Sequence, residues 1–242
     1  MKAFMLAVVA VVVVAGPALA ADPTPEELLK RYDEVMGPRT FEAESQMTSW
    51  REDGSSRTYE LRMLKAEDDK SRIWFKSPAS VKGQEILRVG DNLWIYLPNV
   101  KRATRMANRE SFQGGDFNNA DVLRVNYSRD YTAKRVPSDV PDTWALELKA
   151  KSQETAYDAI KLWLRKSDGL PVKGQYFGTS GQMLRSAEFS DYTEFEKGYV
   201  RPAKIVMHNE LVKSRRSELV LKSLKRGVEA PAQRFTQSDL GR

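Results

Sequence analysis

From Phe41 to residue 225, apolar and polar side chains alternate with few interruptions, and a period of two marks strands that bury one face. Ile73 and Phe75 alternate with Arg72, Trp74 and Lys76, and Leu93, Ile95 and Leu97 with Trp94 and Tyr96. Further on, Trp144, Leu146 and Leu148 alternate with Glu147 and Lys149, and Ile160, Leu162 and Leu164 with Lys161, Trp163 and Arg165. The pattern predicts strands at 41–51, 57–67, 71–77, 84–89, 91–97, 127–136, 143–152, 160–166, 172–178, 183–194, 200–212 and 217–225. Turn pairs such as Asp53-Gly54, Gly90-Asp91, Asp168-Gly169, Ser180-Gly181 and Lys197-Gly198 separate many of them. Short antiparallel neighbours joined by tight turns form a meandering, strongly curved sheet, here of about eleven strands.

Such a sheet must bury its apolar face against something, and the chain offers few helices to do so. The clearest helix is 24–36. Thr24 caps it, Pro25 suits the first helical position, Glu27 completes a capping box, and Gly37-Pro38 stops it. Leu28, Leu29, Tyr32, Val35 and Met36 form its apolar stripe. Elsewhere only 118–124 and the 229–241 tail favour a helix. The sheet therefore curls on itself or encloses a cavity for an apolar guest. The expected lining is the face carrying Phe75, Leu93, Ile95, Leu97, Leu146, Leu148, Leu162 and Leu164. Arg72, Glu147, Lys149 and Arg165 take the opposite phase, toward solvent.

The N-terminus reads as a secretory leader, residues 1–20. Lys2 precedes an apolar run, Gly16-Pro17 breaks it, and Ala18-Leu19-Ala20 supplies a small-x-small cleavage pattern. No Cys follows, so the chain is not itself lipidated there. Without any cysteine, a chain exported to an oxidising compartment is held by its core alone. No linker divides 21–242, which reads as one domain. The formal charge of +6 falls by one on loss of Lys2, and its signs are mixed, so nucleic acid is a poor partner.

Catalysis finds little support. The one histidine, His208, lies in a strand pattern and reads as a surface residue. There is no nucleophile elbow, no cysteine nucleophile, no set of ligands for a transition metal and no glycine loop to cradle phosphate. Neither an enzyme nor a cofactor is expected.

Residues 98–123 carry the most specific signal. A strand ends at Leu97-Pro98; then come Lys101, Arg102, Arg105 and Arg109, a Phe112…Gly114-Gly115-Asp116-Phe117 turn, and Asp121. This order resembles the outer-membrane lipoprotein-sorting family, the relatives of the Lol carrier. The resemblance implies an incomplete β-barrel, a half-barrel with a helical plug made from 24–36 and 112–124. Phe112 and Phe117 would plug or line the mouth, and Asp116 would hold the turn. The implied function is a periplasmic carrier or chaperone for lipids or lipoprotein acyl chains, loaded by an inner-membrane transporter and relieved by an outer-membrane acceptor. The alternative is a periplasmic regulator of envelope stress that binds lipidated or misfolded proteins. Lys101, Arg102, Arg105 and Arg109 are either a solvated strand edge or loop, or a rim that meets lipid headgroups or a partner.

Overall fold

The computed structural model describes residues 22–67, 69–123 and 126–242, so the 1–20 leader lies outside the described residues. Helix α1 is Pro25–Met36. The strands are β1 (Phe41–Trp50), β2 (Ser56–Ala66), β3 (Lys70–Ser77), β4 (Glu85–Val89), β5 (Asn92–Leu97) and β6 (Arg102–Met106), followed by β7 (Tyr131–Val136) and β8 (Thr143–Ala150). Then come β9 (Ala159–Arg165), β10 (Pro171–Phe177), β11 (Met183–Glu196), β12 (Tyr199–Asn209) and β13 (Arg216–Arg226). Between β6 and β7 lie a 3-10 turn at 112–114 and the short helices α2 (Asn119–Leu123) and α3 (Tyr127–Asp130).

Among the described residues all thirteen strands form one antiparallel sheet in the order β6-β5-β4-β3-β2-β1-β13-β12-β11-β10-β9-β8-β7. Every pairing but one joins strands adjacent in sequence. The exception is β1 with β13, Phe41 opposite Arg226 through to Trp50 opposite Arg216, with a bulge at Glu44/Ser45. The sheet does not close, because β6 and β7 are both edges. It is the expected incomplete barrel, with two strand assignments to correct. The middle of the basic stretch, Arg102 and Arg105, lies in β6, because Arg102–Met106 pairs with Leu93–Leu97. Residues 127–130, read as strand, are helical because the Asn126 side chain accepts from the Arg129 N–H and caps the turn.

Helix α1 forms as its sequence dictates. Thr24 Oγ1 accepts from Glu27 N at 3.2 Å while Glu27 Oε2 accepts from Thr24 N at 2.8 Å. Its buried face is Leu28, Leu29, Tyr32 and Met36, each worth roughly 1.5–3 kcal/mol of burial. The last carbonyls of α1 and those of the Gly37-Pro38 stop behind it are taken up from the sheet. Tyr199 OH donates to Val35 O (2.6 Å), Arg201 Nη1 to Met36 O (3.1 Å), and Lys65 Nζ to Gly37 O (2.7 Å) and Pro38 O (2.8 Å). The helix is thereby seated inside the curve of the sheet.

The inner face carries the main core. Phe75, Leu93, Leu146, Leu148, Leu162 and Leu164 are all buried in it, and Ile95 packs against it half-buried. Leu97 is half-buried near the β5–β6 edge. On the opposite phase Glu147 and Lys149 are exposed and Arg165 is half-buried, but two expectations fail. Arg72 is fully buried, because the C-terminal tail folds back over β3 and β4. Its guanidinium donates to Glu85 Oε2 (Nε, 2.8 Å), Asp239 Oδ2 (2.6 Å) and the carbonyls of Arg234 and Asp239 (both 2.7 Å). Phe235 and Leu240 of that tail join Leu64, Ala66 and Leu87 in a second cluster on the outer face. Trp163, which shares the outer phase of β9 with Lys161 and Arg165, is also fully buried. The ammonium groups of Lys161 and Lys173 lie 4.6 and 4.9 Å from its ring centroid, and its Nε1 donates to Asp139 Oδ1 at 2.8 Å.

Candidate functional site: a plugged cavity on the inner face

The segment joining the two sheet edges folds back across the inner face. Its loop needs glycine twice, for different reasons. Gly114 sits at φ +75°, which L side chains rarely adopt, and a Cβ on Gly115 would lie 2.5 Å from Ser49 Oγ. The loop closes with Phe112 N–H donating to Phe117 O at 2.8 Å. Helix α2 is capped reciprocally, since Asp121 N–H donates to Asn118 Oδ1 (2.9 Å) and Asn118 N–H to Asp121 Oδ2 (2.8 Å). The apolar side of this plug, Phe112, Phe117 and Leu123, is buried in the main core. Phe112 stacks on Phe75 with ring centroids 5.9 Å apart.

Polar bonds fasten the plug at the margins. The buried Asp116 accepts from Ser217 Oγ and from Asn209 Nδ2, both at 3.0 Å, and Arg215 lies 3.5 Å away. Asp116 thus ties the turn to β12 and β13 as well as shaping it. Arg109 donates to the carbonyls of Thr155 (2.6 Å) and Gln153 (2.9 Å), with Asp158 at 3.5 Å. It is a structural clamp on the opposite half of the sheet. Asp33 of α1 accepts the N–H groups of Tyr127 (2.7 Å) and Ser128 (2.8 Å) at the start of α3, and Tyr32 stacks on Tyr127 at 5.0 Å.

Beneath the plug is a cavity of about 90 Å³, walled by α1, β1–β3, β10–β13 and the plug. Met63, Ile205, Met207, Leu219 and Leu221 supply its apolar wall; Asp121 and Arg201 are its charged groups. Burial pushes the Asp121 carboxyl up to about 6, against the opposing pull of the Asn118 N–H, Arg185 and the Tyr157 hydroxyl. Tyr157 OH donates to Asp121 Oδ2 at 2.8 Å. Burial also raises the Tyr127 and Tyr176 hydroxyls well above the usual tyrosine range, so both stay neutral donors.

Of the ten residues expected to line an acyl cavity, Phe117 reaches this one. Phe75, Leu93, Phe112, Leu146, Leu148, Leu162 and Leu164 are packed into the surrounding core, with Ile95 and Leu97 nearer the β5–β6 edge. The wall comes chiefly from β1, β2, β12 and β13, where Ser45, Arg201 and Pro202 interrupt the alternation that flagged the other strands. Lys101, Arg102 and Arg105 are exposed along the free β6 edge, Arg105 donating to Asn92 Oδ1 at 2.7 Å. His208 is half-buried, 3.8 Å from Glu188.

Residues 67–242 match the model of a family described as uncharacterized protein-like. The chain belongs to that family. Its fold is that of the LolA superfamily. A LolA superfamily protein from Nitrosomonas europaea superposes with a TM-score of 0.80 at 25% identity, over 89% of this chain and 99% of that one. A putative outer membrane lipoprotein-sorting protein domain from Vibrio parahaemolyticus gives 0.78 at 22% identity, over 90% and 98%. A DUF1329 family protein from Desulfovibrio piger gives 0.78 at 21%, over 90% and 100%. No curated protein matches the sequence. The LolA-like, lipoprotein-sorting resemblance read from residues 98–123 therefore holds for the fold as a whole.

Proposed function

We propose that this LolA-like chain is a carrier or chaperone for acyl chains of lipids or lipoproteins. It works in the periplasm, as residues 21–242, after cleavage behind Ala20. An inner-membrane transporter loads it and an outer-membrane acceptor relieves it. No covalent chemistry is required.

The carrying observation is the apolar cavity under a plug that packs its aromatic side into the core and is tied at its margins by polar bonds. Exposing an acyl chain of ~14 methylenes to water costs on the order of 11 kcal/mol, and a closed apolar shell removes that cost. The cavity is smaller than the ~150 Å³ that accommodates benzene, so an acyl guest requires the plug to move aside. The methionines on its wall, Met36, Met63 and Met207, adapt to chains of different shape.

Mass spectrometry of organic extracts from protein purified out of its native envelope tests this reading, together with transfer of a fluorescent acyl lipid to acceptor vesicles. Co-purified acyl lipid and release to vesicles are expected. A protein that retains no acyl species and binds none in vitro is not a carrier.

A further inference from the structure

Arg201 extends from β12 onto the wall of this cavity with 7% of its surface exposed. Its Nη1 donates to Met36 O at 3.1 Å and its Nε to Pro202 O at 3.4 Å, and the Tyr199 hydroxyl lies beside it. All three partners are neutral. Among the described residues no carboxylate pairs with Arg201. Asp121, the one carboxylate on the cavity wall among the described residues, draws its electrostatic support from Arg185.

Buried charges are ordinarily paired, because neutral partners do not repay the loss of hydration. The C-terminal end of α1 offers Arg201 a fractional negative charge and no more. Tyr199 shows that a neutral donor suffices to satisfy a carbonyl in this last turn, so capping α1 does not by itself call for a cation. A guanidinium also presents five donors in a planar fork that matches an oxyanion, and the three neutral neighbours leave donors over. Along β12 from Arg201, Ile205 and Met207 continue the same wall, flanked by Leu219 and Leu221 of β13. The wall is cationic at one end and aliphatic beyond it.

We propose that Arg201 is a headgroup site, and that the preferred guest is an amphiphile with one anionic oxygen head, a carboxylate or a phosphate monoester. An acyl chain ending in a neutral ester or amide would leave the charge uncompensated. This rests on the acyl-carrier reading and narrows its cargo.

The test is competition at neutral pH against the uncharged probe N-phenyl-1-naphthylamine by dodecanoate, dodecyl phosphate and dodecanol. Both anions are expected to displace the probe about tenfold or more better than the alcohol, the margin of a charge-assisted hydrogen bond. Whichever anion is stronger separates a fatty-acid from a phosphate source. Arg201→Met should bring the three competitors level, and Arg201→Lys should keep most of the preference, a distinction that a purely structural role would not produce. If Arg201→Met fails to fold, the wild-type comparison and the lysine variant still decide. Equal competition by dodecanol and the anions in the wild type overturns the headgroup site and leaves the acyl reading standing. Failure of all three to compete overturns both.

Discussion

The Asp116 carboxylate accepts a hydrogen bond from the Ser217 hydroxyl at 3.0 Å, across 101 positions of sequence. The same hydroxyl accepts from the Asp116 N–H at 2.9 Å and lies 2.9 Å from Ser49 Oγ. One aspartate therefore fastens the plug to the seam where β1 meets β13. Asp116→Ala leaves Ser217 and Asn209 without that acceptor, a cost of about 1–3 kcal/mol. Hydrogen exchange should quicken in 112–123 and stay slow in the sheet. Unchanged exchange in the plug would deny Asp116 this role.

The Asp121 carboxyl, held at about 6 by burial, makes stability depend on pH in a defined direction. Its folded value lies above its unfolded one, so the folded protein binds the extra proton between them. Stability attributable to Asp121 falls as pH rises from about 4 to 6 and is flat beyond. Asp121→Asn keeps the side chain neutral. The variant should melt above wild type at pH 7.5, by an amount on the order of 1–3 kcal/mol, and the gap should close only below about pH 4, where the unfolded carboxyl is protonated too. A constant gap across that range would remove Asp121 as its source.

Leu219 stands half-buried on the cavity wall, whereas Leu162 is fully buried in the packed core. A carboxylate in place of Leu219 wets the cavity without opening the main core. Leu219→Asp should lose acyl-probe binding while retaining its near-ultraviolet circular dichroism; Leu162→Asp should unfold. Tight acyl binding by folded Leu219→Asp would move the cargo site elsewhere.

Arg102 and Arg105 are exposed on the β6 edge, where charge steers encounters more than it adds affinity. Replacing both with Ala should change stability by less than about 0.5 kcal/mol. Transfer to anionic vesicles should slow at low salt and match wild type at high salt. Equal rates at low salt would make these arginines a plain solvated edge.

What the sequence reveals about this molecule divides by distance along the chain. The Thr24–Glu27 capping box and the alternation of Leu146, Leu148, Leu162 and Leu164 are local, and both elements form where those residues place them. Arg72 reads as solvent-facing because nothing near it announces that Asp239, 167 positions away, will cover it. Asp116 reads as a turn former because its partners Asn209 and Ser217 belong to strands whose position against the loop follows from the whole sheet. The cavity wall is least legible, since Ser45, Arg201 and Pro202 break the pattern that marks a buried face. Arg201 carried one available signal, a cation in an otherwise apolar phase with Ile205 and Met207.

The two free lips of the sheet, β6 and β7, are consecutive in the chain, and their only direct covalent connection is the 24 residues from Ala107 to Asp130. Drawn out, a tether of that length spans roughly 80 Å, far more than the width of a small domain. The lips can thus part, and the plug swing clear, without straining the backbone between them. Continuity of the ladder runs the other way round, through β1 and β13, so such a movement leaves every pairing between the strands intact. The length of the strap therefore sets no limit on the aperture; what holds the lips together is the packing of Phe112, Phe117 and Leu123 and the ties from Asp116 and Arg109 to the frame.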